Sequence, residues 1–243
     1  MLSAAIDFCF PGSCAACHLE CDASAPLCAK CLTQLDALAT SPSCRLCAMP
    51  LAYPAAPCPH CRAEGPQSFS RLIALGKFDD PMRSMIHAIK YHGAWPLAEY
   101  LADALSHREK TRELLEEAQV IVPVPLHPLR QLSRGFNQAE VIAARFARHR
   151  GIPLRRPLVR LKATETQTHL HSRASREANL KDAFTLDRDT AIRGRHVVLV
   201  DDVMTTGATL RAAARELRQA GPATLCAVVI AIADPRGRQF QRV

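Results

Sequence analysis

The chain has 243 residues, of which 48% are hydrophobic and 22% are charged, a composition typical of a globular protein and not of a disordered one. No stretch reaches the 18 or more apolar residues of a membrane span, so the sequence predicts no membrane insertion. The N-terminus lacks the basic region of an export signal, and we therefore expect a cytoplasmic protein.

Charge and cysteine content divide the chain into two parts. Ten of the eleven cysteines lie between Cys9 and Cys61, whereas the remainder contains only Cys226. The first 68 residues hold three Lys/Arg against five Asp/Glu, which leaves 28 against 18 for the rest of a chain with net charge +8. We predict a small domain over residues 1 to 68 and a basic one over 69 to 243. The basic excess suits a phosphate-rich partner, and equally a basic surface without a special partner.

The small domain repeats a four-cysteine unit with a period of 30 residues. Four C-x-x-C pairs begin at Cys14, Cys28, Cys44 and Cys58, and such turns let two thiolates converge on one metal ion. The repeat predicts two structural zinc sites with local pairing, one made by Cys14, Cys17, Cys28 and Cys31 and the other by Cys44, Cys47, Cys58 and Cys61. Cross-braced pairing, disulfides, an iron–sulfur cluster and metal-free thiols are the alternatives.

Strand and helix patterns alternate in the larger domain. A strand is predicted over residues 71 to 78, followed by a helix that Asp79 or Asp80 caps and Gly93 ends. A second helix is predicted from Pro96 to Leu115, and then a buried strand over 119 to 126 that leads into a proline-stiffened loop. Further predictions are a helix that Asn137 caps and Gly151 ends, a strand over 196 to 203, a helix up to Gly221, and a last strand over 224 to 233.

The predicted strands are apolar throughout and do not alternate between hydrophobic and polar residues. Such strands, separated by amphipathic helices, indicate an α/β fold with a mainly parallel sheet and helices on both faces. Ligands of these folds bind outside the carboxyl ends of the strands. The segments after Val124 and Val200 are therefore the places where we expect chemistry.

The segment "VVLVDDVMTTGATL", residues 197 to 210, places two carboxylates at such a strand end. Short hydroxyl residues and a glycine at a strand-to-helix turn can bind one phosphate group through backbone N–H groups and the helix dipole. Asp201 and Asp202 precede that turn, where they could hold ribose hydroxyls or Mg²⁺. Simple helix capping explains one or two of these residues but not the whole set.

This segment resembles the phosphoribosyl-pyrophosphate-binding motif of type I phosphoribosyltransferases. "IKYHG" at 89 to 93, "PVPLHPLRQLSRGFNQAE" at 123 to 140 and the pattern from Thr164 to Phe184, all behind a double zinc ribbon, resemble the competence protein ComF family. The resemblance covers nearly the whole chain. It implies a type I phosphoribosyltransferase-like domain preceded by a zinc-ribbon module.

The resemblance also implies residue roles. The paired acids, Asp201 and Asp202, would contact the ribose hydroxyls and a bound Mg²⁺, and the loop after them would bind the 5′-phosphate through Thr205, Thr206, Gly207, Ala208 and Thr209. Pyrophosphate would lie over residues 123 to 127, near Arg130, Arg134 and Gln138. Alternatively, "RGFNQ" is only a turn into the Asn137 cap.

Residues 155 to 181 are rich in Arg and Lys, which fits the mobile loop that closes over substrate in these enzymes. Lys162, Gln167 and Arg176 match the family pattern there, and Lys162 and Arg134 join the two acids as candidate catalytic residues. The alternative is a solvated basic loop.

Two functions are compatible with the resemblance. The first is a phosphoribosyltransferase that uses Mg²⁺ and phosphoribosyl pyrophosphate on an unidentified acceptor. It would not be a glutamine amidotransferase, because Leu2 follows Met1 where such enzymes carry a nucleophilic cysteine. The second is a protein of DNA uptake that binds single-stranded DNA or other competence proteins without catalysis.

Overall fold

The structure is a computed structural model that describes residues 12–22, 25–54, 56–59, 68–162, 182–187 and 191–233. Predictions that fall on other residues, among them Gln167 and Arg176, lie outside the described part. In chain order the structure contains β1 (Gly12–Ser13), β2 (Glu20–Cys21), α1 (Ala29–Thr40), β3 (Leu72–Lys77), α2 (Met82–Tyr91), α3 (Trp95–Ser106), α4 (Glu109–Glu117), β4 (Val120–Pro123), α5 (Pro128–Arg134), α6 (Gln138–Arg150), β5 (Leu158–Arg160), β6 (Phe184–Leu186), β7 (His196–Met204), α7 (Ala208–Gln219) and β8 (Thr224–Ile232).

A four-stranded parallel sheet forms the centre of the larger domain, in the order β3-β8-β7-β4. The parallel sheet predicted from the apolar runs is therefore confirmed. All four strands point the same way, so their carboxyl ends lie along one edge. β7 lies between β8 and β4, and its register with β8 runs from His196 opposite Thr224 to Met204 opposite Ile232.

Helices cover both faces of the sheet. One hydrophobic cluster joins β-strand residues to α2, α3 and α6, where Met85, Leu101 and Phe146 are completely buried. A second cluster joins the opposite face to α7 and to the antiparallel strands β5 and β6. Burial on both faces explains why the strand sequences show no polar alternation.

The cysteine-rich module straddles the outer edge of β3. Cys31 and Leu35 belong to the hydrophobic cluster on one face of the sheet, whereas Cys47 and Met49 belong to the cluster on the other. The module is therefore packed into the hydrophobic core of the sheet and is not merely tethered to it by a linker.

Two backbone contacts fix the module to β3. The Leu72 N–H donates a hydrogen bond to the Leu46 carbonyl at 2.8 Å, so the module satisfies part of the strand's open edge. A Cβ atom at Gly76 would lie 3.1 Å from the backbone carbonyl group of Leu38 in α1. Glycine thus permits the helix backbone to approach the strand closely.

The helix predicted from Pro96 to Leu115 is two helices, α3 and α4. The side chains of Ser106 and His107 both bond to the Asp103 carbonyl, at 2.8 and 2.7 Å, and Arg108 adopts an extended conformation. Side-chain bonds of this kind compete with the helical ladder, and the chain turns there.

The capping prediction for α2 is wrong. Neither Asp79 nor Asp80 caps α2, because the helix begins at Met82 without a side-chain cap; Asp80 instead accepts a hydrogen bond from the Ser84 hydroxyl at 2.8 Å.

The buried strand that leads into a proline-containing loop is confirmed, although β4 is shorter than predicted and ends at Pro123. The sequence did not predict α5, which follows this loop and begins with Pro128, a residue well suited to a first helical turn.

The Asn137 cap and the Gly151 stop of α6 are confirmed. The Asn137 side chain accepts a hydrogen bond from the Ala139 N–H, and Gly151 ends the helix in the left-handed conformation. Among the described residues, no helix combines the length and the hydrophobicity that a membrane crossing requires.

Candidate functional site

The cysteines gather into two groups, as the local pairing predicts. The sulfur atoms of Cys14, Cys17, Cys28 and Cys31 all lie within 4.8 Å of one another, and those of Cys17 and Cys28 are 3.7 Å apart. Four thiolates about 2.3 Å from a zinc ion in tetrahedral geometry are separated by about 3.8 Å. The first group therefore matches the dimensions of a zinc site.

The second group contains Cys44, Cys47 and Cys58, and the sulfur atoms of Cys47 and Cys58 are 3.5 Å apart. Cys61, the fourth predicted ligand, lies outside the described residues. Backbone groups prepare the first site for metal: although burial acts against the charged form, hydrogen bonds with the backbone of Cys28 and Ala16 lower the pKa of Cys14 to about 6. A thiolate is the form that binds zinc.

We predict that zinc removal destabilises the sheet as well as the cysteine module, because the two share one core. The purified chain should contain about two zinc ions, as two closed four-thiolate sites require. Chelation, or Cys31→Ser, should lower the urea midpoint measured by fluorescence of Trp95, the chain's single tryptophan, at the start of α3. Cys226→Ser is the control, since Cys226 belongs to neither group; an unchanged Trp95 midpoint after zinc loss would contradict the prediction.

Asp201 and Asp202 lie together near the carboxyl end of β7, where the sequence places them. Both are partly buried, and the Asp202 N–H donates a hydrogen bond to the Asp201 carboxylate at 2.9 Å. Burial, and then the charge of Asp202, raise the pKa of Asp201 to about 7. The strand end thus concentrates negative charge that a cation would stabilise.

Two basic residues for which the sequence predicted no separate role lie near these carboxylates, Lys90 on the face of the sheet that α2 covers and Arg160 on the face that β5 covers. The Lys90 ammonium lies 2.9 Å from Asp202 Oδ2. Arg160 in β5 is 8% exposed; burial and the charge of Arg130 lower the pKa of Arg160 to about 10, while the charge of Asp201 opposes them. Lys90 belongs to the quoted "IKYHG" segment, so the family pattern contained a signal for it, whereas the position of Arg160 depends on a strand that the sequence did not reveal.

The threonine loop joins β7 to α7. Gly207 precedes the helix in the left-handed conformation, with φ of 74°. The Thr206 hydroxyl accepts a hydrogen bond from the Ala208 N–H at 3.4 Å, and Arg211 donates to the Thr206 carbonyl at 2.8 Å. Thr205 and Thr209 complete the loop at the helix N-terminus, where backbone N–H groups and the helix dipole favour an anion.

The loop after β4 is held at the same edge of the sheet. Asn137 both caps α6 and donates a hydrogen bond to the Val124 carbonyl at 3.0 Å, so the start of α6 holds this loop. The loop also lines a cavity of about 420 Å³, with Phe136, Glu140 and Leu158 on other sides. The capping role was predicted from the sequence, but the bond to Val124 was not.

The predicted charged residues near that loop have separate surroundings. Arg134 ends α5, lies 5.5 Å over the ring of Tyr91 and donates to the Gln138 side-chain carbonyl at 3.4 Å. Gln138 is 2% exposed, and its buried amide nitrogen has no hydrogen-bond partner among the described residues. Arg130 is brought close to Arg160, and the two charges destabilise each other.

The basic segment predicted over residues 155 to 181 is not a loop throughout. Leu158–Arg160 pair with Phe184–Leu186 as two antiparallel strands, and Arg156 pairs with Glu140 in α6. Lys162 is exposed just beyond the first of these strands. Residues 163 to 181 lie outside the described part.

We predict that Asp201→Asn stabilises the metal-free fold above neutral pH. Because the pKa of Asp201 is raised from its ordinary value near 4 to about 7, the folded chain loses stability as the pH rises through that interval. An asparagine carries no charge, so the Asp201→Asn chain should have a higher free energy of unfolding than the unchanged chain, by a difference that grows with pH. This difference should reach at most about 4 kcal/mol near pH 8, since one pKa unit corresponds to about 1.4 kcal/mol. Urea unfolding of both chains from pH 5.5 to 8 measures the difference.

Asp103→Asn supplies a control of opposite sign. A hydrogen bond from Arg145 lowers the pKa of Asp103, so this change should destabilise the fold at neutral pH. Equal effects of both substitutions would contradict the electrostatic argument for Asp201.

Comparison with known proteins agrees with this architecture. Residues 131–242 match the family model described as "Phosphoribosyl transferase domain". The chain is 33% identical to the DNA utilization protein YhgH of Salmonella typhimurium over 88% of its own length and 94% of that protein's. It is 35% identical to competence protein F of Haemophilus influenzae over 80% of its own length and 85% of the relative's.

Competence protein ComFC of Bacillus subtilis is 29% identical over 81% of the chain and 80% of that relative. The match thus extends beyond the phosphoribosyltransferase domain into the cysteine-rich module. The shared sequence, the parallel sheet and the cysteine groups show that the chain belongs to the ComF family of phosphoribosyltransferase-fold proteins.

Proposed function

We propose that the chain binds phosphoribosyl pyrophosphate together with Mg²⁺ at the carboxyl ends of β7 and β4. The observation that carries this proposal is the placement of Asp201 and Asp202 near the end of β7, a strand that the threonine loop joins to the N-terminus of α7. One strand end thereby offers carboxylates for hydroxyls and metal, and the next turn offers hydrogen-bond donors for phosphate.

The ligand would lie across the site in one orientation. Its 5′-phosphate would bind the threonine loop, residues 205 to 209, and its ribose hydroxyls would face Asp201 and Asp202. The pyrophosphate would then lie toward the loop after β4, where Arg130 and Arg160 are both partly or fully buried. Burial and the charge of Arg130 both act against the charged form of Arg160, so an anion bound near these guanidinium groups would stabilise it.

The residues also suit Mg²⁺. This ion prefers oxygen ligands, binds through one or two carboxylates and retains water or substrate phosphate oxygens. Burial, and then the charge of Asp202, raise the pKa of Asp201, so a nearby cation would lower the cost of ionising both carboxylates. When bound, Mg²⁺ would neutralise charge on a departing pyrophosphate, while Arg134, Gln138 and Lys162 are further candidates for contact with the ligand.

Isothermal titration calorimetry tests the proposal directly. Phosphoribosyl pyrophosphate should bind the zinc-loaded chain only in the presence of Mg²⁺. Asp201→Asn combined with Asp202→Asn should weaken binding at least about 100-fold, because each charge-assisted contact contributes on the order of 1.5–3 kcal/mol.

Arg160→Met should weaken phosphoribosyl pyrophosphate more than ribose 5-phosphate, since only the former carries pyrophosphate. Asp36→Asn on the exposed surface of α1 is the matched control and should bind as the unchanged chain does. Mg²⁺-independent binding, or binding unaffected by the double substitution at β7, would refute the proposed site.

We further propose that this binding serves DNA uptake. The relatives are named for competence and for DNA utilization, and the net charge of +8 favours a polyanionic partner. A pocket for phosphate and ribose is compatible with a nucleotide that is part of a strand.

A second candidate function is non-catalytic binding of single-stranded DNA, and two exposed aromatic side chains favour it. Tyr91 is 58% exposed and Trp95 is 52% exposed, and the Arg134 guanidinium lies over the Tyr91 ring. Exposed aromatic rings with neighbouring basic groups are the usual platform for unpaired bases. The chain has few aromatic residues, but these two are accessible to bases.

We expect Tyr91→Ala and Trp95→Ala each to weaken binding of an oligothymidylate by roughly tenfold, because stacking contributes about 1–3 kcal/mol per base. Affinity should also fall steeply with salt, as phosphate contacts require, and with removal of Arg or Lys from residues 155 to 181. Fluorescence anisotropy from 50 to 200 mM salt measures all three effects. Leu132→Ala changes an exposed apolar residue of α5 and is the control. An affinity for the oligothymidylate that changes neither with salt nor with Tyr91→Ala would exclude this function.

A further inference from the structure

Lys90 holds a defined position against the paired carboxylates. It lies in the last turn of α2, a helix whose Met85, Ile86 and Ile89 are buried against the sheet. Its ammonium contacts Asp202 Oδ2 at 2.9 Å, with the Lys90 side chain 23% exposed and that of Asp202 17% exposed. This ion pair is therefore largely shielded from solvent and fixed by a packed helix, unlike a pair between mobile surface side chains.

The ammonium stands at the carboxylate that a metal ion would use. A group 2.9 Å from one oxygen of Asp202 fills much of the space in which a divalent cation could bind that oxygen. A bare cation must therefore displace Lys90 or share the carboxylate with it. Displacement leaves a positive charge without its partner in a poorly hydrated place, which is costly.

The charge balance points the same way. Asp201 and Asp202 supply two negative charges, and Lys90 and Arg160 supply two positive ones, with Arg130 adding a third close to Arg160. The ligand-free site is thus neutral or positive. A bare divalent cation would make it strongly positive, whereas a cation that arrives with a phosphate and a pyrophosphate group brings more negative than positive charge.

We propose that Lys90 is a resident counter-ion that keeps bare divalent metal off Asp202 and admits Mg²⁺ only in company with a polyanionic ligand. The inference rests on the proposed function, because it assigns an order of binding to the same site. When the ligand binds, the Lys90 ammonium leaves the Asp202 carboxylate and contacts the phosphate oxygens of the ligand. The flexible four-carbon side chain of lysine permits this movement. The site is thereby protected from occupation by metal alone.

Binding of Mn²⁺ to the ligand-free, zinc-loaded chain tests the inference, with electron paramagnetic resonance as the readout of free Mn²⁺. The unchanged chain should bind Mn²⁺ weakly. Lys90→Gln should bind it about tenfold more tightly or better, because a positive charge a few ångströms from the metal is removed. Lys90→Arg, which keeps the charge, should resemble the unchanged chain.

Two controls locate the effect. Lys77→Gln removes a lysine paired with Asp79 at the end of β3 and should leave Mn²⁺ binding unaltered. Asp202→Asn in the Lys90→Gln chain should abolish the added affinity. Equal Mn²⁺ affinity in the unchanged and Lys90→Gln chains, or a gain that survives Asp202→Asn, would overturn the inference.

The outcome separates this inference from the proposed function. If phosphoribosyl pyrophosphate binds with Mg²⁺ but Lys90→Gln gains no affinity for Mn²⁺, the inference about Lys90 is contradicted and the proposed ligand is supported. If Lys90→Gln gains Mn²⁺ affinity while phosphoribosyl pyrophosphate does not bind, Lys90 screens the carboxylates but the ligand is another one.

Discussion

Two carboxylates side by side near the end of a buried strand repel each other and lose part of their hydration. Asp201 and Asp202 are in this position, and the raised pKa of Asp201 is the direct result. Neighbouring elements reduce the cost: α2 brings Lys90 to Asp202, and β5 brings Arg160 within range of Asp201. Three segments far apart in sequence therefore place charged side chains at the same strand end. A ligand with metal and phosphate balances these charges more completely.

The scaffold around this pair is rigid where the chemistry needs it. β7 pairs with β4 up to Val200 and with β8 as far as Met204, so the backbone that carries the two acids is held by β8. Asn137 holds the neighbouring loop through the Val124 carbonyl. Groups positioned by such backbone contacts lose little freedom on binding a ligand, which favours selective recognition.

The sequence predicts those features that depend on local patterns. Uninterrupted apolar runs predicted the parallel sheet, the 30-residue repeat predicted local grouping of the cysteines, and Asn137 and Gly151 predicted the limits of α6. Each of these follows from spacing or from one residue's backbone preference. The paired acids and the threonine loop were likewise predicted to be neighbours because they are adjacent in the chain.

Features set by tertiary contact were not predictable in this way. Lys90 reaches Asp202 across more than a hundred residues, and Arg160 is buried because Leu158–Arg160 pair with a strand beyond the basic segment. From sequence alone, an arginine-rich segment is expected to be exposed to solvent, because the strand with which it pairs is not known. The break between α3 and α4 depends on side chains that compete for one carbonyl, which helical periodicity does not reveal.

The position of the cysteine module has a consequence for how the chain is made. In the finished sheet β3 pairs with β8, yet these strands are separated by about 150 residues, which take on the order of ten seconds or more to synthesise. The contact between Leu46 and Leu72 is available as soon as β3 has been translated. The module can therefore hold the first strand, on an emerging chain, until the last strand arrives to complete the sheet.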